Sequence, residues 1–318
     1  MSADNLPIVV VTEPMSPRSI EYLKQHAEVR QVPPEQAPDA IVDADALVVR
    51  TYTQVNEALL ANAKRLKVVG RAGVALENID VGACRRHGVE VVHTPEANTL
   101  AVVDYTIGAI IQLNRRYWPM TGPVSDKDFH EARKQTYGRF LSEMTLGIVG
   151  LGRIGSRVGR AAAALGMKVL YNDILDIKVE YPATAVDKDT LYAQSDIVTI
   201  HVPVTKLTTK MINASTLTKF KAGAQFINAA RGQCVDYADL AEAVRSGHLS
   251  GAVIDCHDPE PPGADYPMFS VLGKNVILTP HVAARVPAAM ERMSDVVYDI
   301  IGMLNGKPPK YPAPPEEE

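Results

Sequence analysis

Short runs of apolar residues alternate with longer segments of helical periodicity along almost the whole chain. In its first third, four runs rich in Val and Ile predict β-strands at 8–12, 46–50, 67–72 and 89–94. Amphipathic segments separate these runs, and such alternation of strand and helix is typical of parallel sheets. The pattern predicts a small α/β unit of about four or five strands.

A second series of apolar runs occupies the following part of the chain. It predicts six further strands, at 145–150, 168–173, 196–202, 224–230, 251–256 and 275–280. Six parallel strands with helices between them is the number found in a dinucleotide-binding domain. We therefore expect an α/β protein with two units.

The stretch "NTLAVVDYTIGAIIQLNRRY", which starts at Asn98, is apolar on all sides of a helix. Such a helix is buried or lies at an interface, because one domain face does not need so much apolar surface. A last helix is predicted at roughly 286–305. The final segment, "GKPPKYPAPPEEE", is rich in proline and acidic residues and need not be ordered.

The chain has 318 residues, which is long enough for two domains with separate cores. The net charge of -4 predicts no binding to nucleic acid or to an anionic membrane surface. No apolar run approaches the roughly 20 residues of a membrane span, and the N-terminal run is too short for a signal sequence. We expect a soluble protein of the cytoplasm.

The three cysteines, Cys84, Cys234 and Cys256, are odd in number and form no CxxC pair. Their spacing predicts neither a disulfide framework nor a zinc site, so no metal is expected. A reducing cytoplasm fits this usage of cysteine.

The segment "GLGRIGSRVGRAAAALGMKVLYND" directly follows the predicted strand "TLGIV". Gly150, Gly152 and Gly155 form a GxGxxG pattern that leads into an Ala-rich helix. The first glycine allows a tight turn, the second lets a pyrophosphate approach the backbone, and the third lets helix and strand pack closely. The positive end of the helix then faces the phosphates.

Asp173 ends the next predicted strand. At this position a carboxylate accepts hydrogen bonds from the adenosine ribose hydroxyls, and its charge repels a 2′-phosphate. NAD is therefore favoured over NADP as the cofactor. The alternative is that Asp173 is a helix cap or a turn residue.

Three further polar residues follow successive predicted strands: Arg231 after "FINAA", Glu260 after "VIDC" and His281 after "VILT". Each of them alone has an ordinary explanation. Arg231 could form a surface salt bridge, Glu260 could be a turn acid before two prolines, and His281 could be a hydrogen-bonded imidazole at a strand end. Because parallel strands place their carboxyl ends at one edge of a sheet, the three together predict a site.

These residue types suit hydride transfer to a 2-keto acid. A protonated imidazole donates to the carbonyl oxygen, on which negative charge grows, and the neutral ring accepts the hydroxyl proton in the reverse direction. A glutamate on the far ring nitrogen fixes the tautomer and raises the imidazole pKa. Arginine offers a planar, permanently charged fork to a carboxylate or carbonyl oxygen. We expect His281 to be the acid–base group ahead of His257, with His201 near the cofactor.

Six segments, in the same order along the chain, resemble those of the D-isomer-specific 2-hydroxyacid dehydrogenase family, and the likeness is greatest to its phosphoglycerate dehydrogenase branch. The segments are "KVVGRAGVALENIDVGACRRHGVEVVHTPEANT", "TLGIVGLGRIGSRV", "HVPVTKLT", "INAARGQCVD", "GHLSGAVIDC" and "VILTPHVAA".

The resemblance implies a Rossmann-type NAD-binding domain, 97–283, inserted into a smaller flavodoxin-like α/β substrate domain formed by 1–96 and 284–318. It also implies a cleft that closes by hinge motion and a homodimer formed through the long helix at 98–116. No segment resembles the regulatory C-terminal domain of longer members, so feedback by serine through such a domain is not expected.

The family's catalytic arginine, glutamate and histidine match Arg231, Glu260 and His281. The residues implied to contact NAD are Val74, Gly150, Gly152, Arg153, Ile154, Gly155, Asp173, His201, Val202, Pro203, Ala229, Ala230, Arg231, Asp255 and His281. Those implied to contact the substrate are Arg50, Thr51, Gly73, Val74, Ala75, Asn98, Arg231 and His281. In the phosphoglycerate branch, the segment matching Arg50 and Thr51 reaches a phosphate, as does the residue matching Asn98.

The chain departs from the family's pattern at several positions. Ala75 stands where the family usually has glycine, and Glu77 stands where it usually has aspartate. Asp104 replaces the usual glutamate of the long helix, and His257 stands where an aromatic residue is common. After His281 the run is "VAAR", in which Arg285 either binds a second anionic group or caps the last helix. Arg133 and Lys134 are either a basic pair near the pocket or solvated surface residues.

We therefore expect an NAD-dependent enzyme that interconverts a D-2-hydroxy acid and its 2-keto acid, with 3-phosphoglycerate and 3-phosphohydroxypyruvate as the first candidate pair. Hydroxypyruvate, glyoxylate or another anionic 2-keto acid is the alternative within the enzyme class. A non-catalytic, NAD-sensing corepressor-like interaction protein is the alternative of another class, although the chain lacks the long disordered extensions of a recruitment module.

Overall fold

The structure is a computed structural model, and the residues it describes are 6–115, 122–134 and 138–315. The chain divides into two compact units, one formed by Met1–Asn98 with Ala284–Glu318 and the other by Thr99–Ala283. Both are built on parallel sheets with helices between the strands, which confirms the predicted α/β class.

The first unit contains a five-stranded parallel sheet in the order β2-β1-β3-β4-β5, which is the order of the flavodoxin-like doubly wound fold. The strands are β1 (Ile8–Val11), β2 (Glu28–Gln31), β3 (Ala46–Val49), β4 (Val68–Arg71) and β5 (Glu90–His93). The helices are α1 (Pro17–His26), α2 (Ala37–Ala40), α3 (Glu57–Leu60), α4 (Val81–Arg86), α11 (Pro287–Ser294) and α12 (Val296–Leu304).

Strand β2 was not predicted, because its sequence "EVRQ" has no apolar run. It lies at the edge of the sheet, where charged residues are common because only one side is paired. The inner strands are buried on both faces, which explains their continuous runs of Val and Ile. In β1, Val9 shares a core with Ile300 of α12, and Val10 shares the core of the opposite face with Ile41.

The predicted helix at 286–305 is in fact two helices. The amide of Asp295 donates to the carbonyl oxygen of Arg292 (3.1 Å), which tightens the chain into a turn between α11 and α12. The apolar pattern continues across the break because both helices bury side chains within this unit, such as Met293 of α11 and Ile300 of α12. The pattern alone therefore predicted one helix.

The Pro-rich segment after α12 has hydrogen-bond partners as far as Pro314, although its composition indicated no ordered structure. The carboxylate of Asp299 accepts hydrogen bonds from the amides of Lys310 (2.9 Å) and Tyr311 (3.0 Å). The amide of Ala313 donates to the carbonyl oxygen of Val91 (2.7 Å). The segment thus covers the open edge of β5, and this partner lies far away in sequence.

The second unit contains a seven-stranded parallel sheet in the order β12-β11-β10-β9-β6-β7-β8. The strands are β6 (Thr145–Val149), β7 (Lys168–Asn172), β8 (Thr184–Ala185), β9 (Ile197–Ile200), β10 (Ala224–Asn228), β11 (Leu249–Ile254) and β12 (Val276–Leu278). The helices are α5 (Thr99–Asn114), α6 (Asp126–Lys134), α7 (Arg153–Ala164), α8 (Lys188–Gln194), α9 (Ala214–Leu217) and α10 (Tyr237–Arg245).

This order is that of a Rossmann sheet with one additional strand at the β12 edge. The count exceeds the predicted six because β8 has only two residues, both exposed, and so leaves no apolar run. The chain changes direction between β6 and β9, and ligands of such sheets bind at the carboxyl ends of the strands beside that point.

Helix α5 is buried mainly by its own unit. It contacts α7, β10 and β11, and residues such as Val103 and Ile110 lie in the unit's core. Burial within the unit therefore accounts for many of its apolar residues, whereas Leu100 stays exposed. An interface with a second copy of the chain remains a prediction. Among the residues that the structure describes, no helix is both long and apolar enough to cross a membrane.

Candidate active site

The glycine loop between β6 and α7 leaves open space above the helix end. Gly150 has φ +90°, and a Cβ atom there would lie 2.6 Å from the carbonyl oxygen of His201. A Cβ atom at Gly155 would lie 2.0 Å from the carbonyl oxygen of Gly150, whereas one at Gly152 would meet no atom within 4 Å. The first and third glycines are therefore required for packing, and the second borders a space that a ligand can enter.

Helix α7 begins at Arg153 with Gly152 as its N-cap, and no side chain caps its first amides. Free amides and the positive end of the helix dipole form a site suited to phosphate groups. The loop and helix end thus fit the pyrophosphate of a dinucleotide.

Asp173 follows β7 and contacts this loop. Its Oδ2 atom accepts a hydrogen bond from the amide of Leu151 (2.6 Å), and its Oδ1 atom accepts one from the amide of Leu175 (3.0 Å). The contact with Leu175 is that of a turn residue, as in the alternative interpretation. The carboxylate is partly exposed and has further lone pairs that can accept hydrogen bonds from ribose hydroxyls.

The predicted acid–base pair is held at the ends of β11 and β12. The Nδ1 atom of His281 lies 2.8 Å from Oε2 of Glu260, and the other carboxylate oxygen accepts the amide of His257 (2.7 Å). Contacts with the Cys256 thiol and the Glu260 carboxylate raise the pKa of His281 above its ordinary 6.5. Burial raises the pKa of Glu260, but hydrogen bonds from the His281 ring and the His257 amide outweigh it and lower that pKa overall. The pair is therefore an imidazolium and a carboxylate at neutral pH.

A buried carboxylate fixes the turn that carries His281. Asp255 has no exposed surface, and its Oδ1 atom accepts hydrogen bonds from the Thr279 hydroxyl (2.6 Å) and the Val282 amide (2.8 Å). Its Oδ2 atom accepts the amide of Ala283 (2.8 Å). Within this turn His281 has φ +52°, which is uncommon for a residue with a side chain and shows that the surroundings determine the conformation.

Sequence reasoning assigned Asp255 only to the cofactor and missed this role and its partners. The Tyr105 hydroxyl lies 2.5 Å from the Thr279 hydroxyl, so a chain of hydrogen bonds runs from α5 to the carboxylate. A threonine directly before "PH" and an acid at the end of β11 were the available signals.

Arg231 follows β10, the neighbour of β11 in the sheet. Its loop is fixed by the side-chain amide of Asn228, which donates to the carbonyl oxygen of Arg231 (2.9 Å). The next residue is Gly232, where a Cβ atom would lie 1.8 Å from the carbonyl oxygen of His257. The loop carrying Arg231 thus packs directly on the backbone that leads to Glu260.

The two competing histidines have other surroundings. Both ring nitrogens of buried His257 are engaged, Nδ1 with the Tyr266 hydroxyl (3.0 Å) and Nε2 with the Thr279 carbonyl oxygen (2.9 Å), so it supports the turn and is no acid–base candidate. Burial lowers the pKa of His201 to about 4, so its ring is neutral. Its buried Nδ1 atom has no hydrogen-bond partner among the described residues.

In the first unit, a buried acid organises the loop that carries Arg50 and Thr51. Glu13, which is 8% exposed, follows β1 and was missed by the sequence analysis. Its carboxylate accepts the four consecutive amides of residues 50–53 at 2.8 to 3.2 Å and also the hydroxyl of Thr53. These hydrogen bonds outweigh the effect of burial and lower the pKa of Glu13.

The Arg50 guanidinium donates to the carbonyl oxygen of Pro14 (3.0 Å) and contacts the sulfur of Met290 (3.4 Å). Burial lowers the pKa of Arg50, Glu13 opposes this shift, and the positive charge of Arg285 adds to it. Arg50 and Arg285 are therefore close enough to interact, and this unit has a local concentration of positive charge.

Other predicted substrate contacts of this unit lie near its sheet edge. The carbonyl oxygen of Gly73 accepts a hydrogen bond from the Thr94 amide (3.0 Å). The carbonyl oxygen of Val74 lies 2.8 Å from Nδ1 of the His93 ring, and the two contacts fix the 73–75 loop. The buried Oδ1 atom of Asn98 has no partner among the described residues.

Arg133 and Lys134 lie on exposed helix α6, where Lys134 pairs with Glu131 (2.7 Å) and Arg133 lies over the Phe129 ring. These contacts favour the alternative of surface residues.

A family model of the D-isomer specific 2-hydroxyacid dehydrogenase NAD binding domain matches residues 107–283. D-3-phosphoglycerate dehydrogenase of Archaeoglobus fulgidus is 35% identical over 311 residues, 94% of this chain and 58% of that protein. Hydroxypyruvate reductase of Thermotoga maritima is 33% identical over 279 residues, 88% of this chain and 89% of that protein.

Among solved structures, D-lactate dehydrogenase from Aquifex aeolicus complexed with NAD and lactic acid matches with a TM-score of 0.77 at 27% identity. The match covers 94% of this chain and 96% of that one. The chain therefore spans nearly the whole of this relative and of the reductase, but under two thirds of the Archaeoglobus protein.

Replacing Glu13 with Gln tests the role of this carboxylate in the 50–53 loop. We expect a loss of about 1–3 kcal/mol in the free energy of unfolding, because the amide group turns one acceptor into a donor that faces backbone N–H groups. The pKa of Glu13 is lowered on folding, so its stabilisation is complete above the ordinary 4.5 and is lost as pH falls through the native value. Urea denaturation near neutral pH and at about pH 3.5 measures both effects.

The exposed acid Glu35 serves as the matched control, and Glu35→Gln is expected to change stability at neither pH. An equal loss for Glu13→Gln at both pH values would contradict a role for the ionised carboxylate.

Proposed function

Because this chain belongs to the D-isomer-specific 2-hydroxyacid dehydrogenase family, we propose that it is an NAD-dependent oxidoreductase that interconverts a D-2-hydroxy acid and its 2-keto acid. The observation that supports this most strongly is the hydrogen bond between His281 and Glu260. It joins an imidazole and a carboxylate at the ends of neighbouring strands, on the edge of the sheet where ligands bind.

The cofactor is proposed to lie along the carboxyl ends of β6 to β12. The glycine loop and the first amides of α7 bind the pyrophosphate, and Asp173 binds the ribose hydroxyls and disfavours a 2′-phosphate. When bound, NADH supplies a hydride to the substrate carbon. The further contacts proposed are Val74, Arg153, Ile154, His201, Val202, Pro203, Ala229, Ala230, Arg231, Asp255 and His281.

His281 is the proposed proton donor. Glu260 holds Nδ1, which leaves Nε2–H to donate to the carbonyl oxygen as it gains negative charge. The raised pKa of His281 keeps the ring protonated at neutral pH and so suits reduction. In the oxidative direction the same nitrogen must first lose its proton to accept one from the hydroxyl group.

The substrate carboxylate is proposed to bind the guanidinium fork of Arg231. In the first unit, Gly73, Val74 and Ala75 are proposed as substrate contacts through the amides of residues 74 and 75, because the Gly73 amide donates to the carbonyl oxygen of Arg71 (2.8 Å). Arg231 cannot lose its charge, so it binds the carboxylate at every pH at which the enzyme works. Its position after β10, next to the strand that leads to Glu260, supports a place beside the acid–base pair.

For the rest of the substrate we propose a second anionic group, as in 3-phosphohydroxypyruvate. The positive charge of Arg50 with Arg285 supports this choice. The side-chain NH2 group of Asn98 is proposed to donate to the same anionic group. Thr51 is proposed to donate from the loop that carries Arg50.

The name of the Archaeoglobus relative agrees with a phosphorylated substrate, whereas that of the Thermotoga relative supports hydroxypyruvate as the second candidate. The interaction-protein alternative has no support among the relatives named here, all of which carry dehydrogenase or reductase names.

We further propose a homodimer in the cytoplasm. Leu100 on α5 is 54% exposed and Phe140 is 76% exposed, and both are apolar side chains that a second copy can cover. The three cysteines are free and buried, which agrees with a reducing compartment.

The function is tested by offering the purified protein and NADH a panel of phosphohydroxypyruvate, hydroxypyruvate, glyoxylate and pyruvate and following NADH absorbance. We expect reduction of at least one acid, and a loss of turnover of about 100-fold or more in His281→Ala, because general acid catalysis is worth 10²–10⁴. His257→Gln, which changes the neighbouring imidazole, is expected to affect stability more than turnover. A protein inactive with the whole panel, or an active His281→Ala variant, would overturn the proposal.

The charged pair is tested by comparing two substrates. Arg50→Ala is expected to weaken kcat/KM for phosphohydroxypyruvate by about tenfold to a hundredfold more than for pyruvate, because a hydrogen bond to a charged group contributes about 1.5–3 kcal/mol. Arg285→Ala should change the ratio in the same direction, and exposed Arg292→Ala on α11 serves as the control. Equal effects on both substrates would reject a second anionic subsite.

A further inference from the structure

One cluster near the acid–base pair contains more than catalysis requires. Cys256, Glu260 and His281 each offer one ligand atom, and these atoms all lie within 4.8 Å of one another. Cys256 stands just after β11, Glu260 lies on the following loop, and His281 follows the neighbouring strand β12. The segments that follow two neighbouring strands thus converge on one point.

The three ligand types select for thiophilic metal ions. Thiolate, imidazole and carboxylate bind Zn²⁺ at about 2.0–2.3 Å, which places tetrahedral ligand atoms about 3.3–3.6 Å from one another. The present spacing reaches that geometry with shifts on the order of 1 Å. A site with a thiolate disfavours Mg²⁺ and Ca²⁺, which prefer oxygen ligands in larger number.

The cluster is open on one side and closed on the other. The side chains of His281 and Glu260 are 46% and 36% exposed, whereas Cys256 is 1% exposed. The Cys256 sulfur also lies 3.3 Å from the carbonyl oxygen of Ala230, so the thiol is held in place below the pair. An ion that enters past the exposed pair meets the sulfur at the base of the site, with its fourth position left for water.

We propose that Cys256, Glu260 and His281 form an inhibitory site for a thiophilic divalent cation such as Zn²⁺. The inhibitory part rests on the function proposed above, while the binding part stands without it. The ion replaces the proton shared by the His281 ring and the Glu260 carboxylate, and this proton and that of the Cys256 thiol pass to solvent. With Nδ1 bound to the ion, the ring is no longer an imidazolium, and its remaining Nε2 proton is far less acidic because its loss would leave an imidazolate. His281 therefore stops acting as the proton donor to the substrate.

The expectation from cysteine spacing, that the chain has no zinc site, considered only ligands close in sequence. Here 21 residues separate Glu260 from His281 and the fold brings them together. Neither of the other two cysteines belongs to such a group among the described residues.

Binding is measured on the full chain after treatment with a chelator. Titration with Cd²⁺ is followed by the ultraviolet charge-transfer band of a cadmium thiolate, and titration with Zn²⁺ by calorimetry. We expect one ion per chain. Cys256→Val is expected to abolish the band and weaken Zn²⁺ binding by more than about 100-fold, since even changes outside the ligand set cost 10–100-fold. Cys234→Ser, a buried cysteine of the same unit, is the matched control and is expected to titrate like the unchanged protein.

Inhibition is measured as the fall in the NADH-dependent rate as the Zn²⁺ concentration rises. The rate of each variant is divided by the rate of the same variant without metal. Zn²⁺ should inhibit the unchanged protein and Cys234→Ser equally, excess chelator should restore the rate, and Mg²⁺ should have no effect. Cys256→Val should need more than about 100-fold more Zn²⁺. If circular dichroism shows that Cys256→Val does not fold, Cys256→Ala is used in its place.

A cadmium band that survives in Cys256→Val, or equal Zn²⁺ inhibition of both variants, overturns the site. Binding at this site without loss of rate overturns the inhibitory role. If no keto acid is reduced at all, the proposed function fails, and the cadmium titration still decides whether the site exists.

Discussion

The candidate site depends on the burial of one carboxylate. Asp255 has no exposed surface, and a charge placed there is tolerated only if hydrogen bonds replace the lost water. The donors are the hydroxyl of Thr279 and two amides of the turn after β12, and the carbonyl oxygen of Asp255 accepts the amide of His281 (2.9 Å). Satisfying this charge therefore forces the turn into one conformation, and that conformation gives His281 its positive φ.

The same logic appears in the first unit, where Glu13 gathers four amides of the 50–53 loop. In both cases a buried acid that follows a strand organises a neighbouring loop through hydrogen bonds. The loops then carry the charged side chains, His281 in one unit and Arg50 in the other. Rigid strands with acid-fixed loops hold such groups more closely than free loops can.

Sequence patterns predicted most strands, the glycine loop and the residues at the strand ends, because each depends on neighbours along the chain. Strands β2 and β8 were missed because a polar edge strand and a two-residue strand leave no apolar run. Glu13, Thr279 and Cys256 were not recognised in their roles, since each depends on a partner brought near only by the fold. For α5 the sequence left burial in the protomer and burial between protomers open, because both give the same apolar pattern.

The central claim is that Glu260 holds His281 protonated as the proton donor. It is tested most directly by the pH dependence of kcat/KM for keto-acid reduction, which reports the pKa values of the free enzyme. The rate should fall as pH rises through the raised pKa of His281, above 6.5, and in Glu260→Gln the fall should begin at lower pH because the ring has lost its carboxylate. Identical profiles for the two proteins would contradict the account.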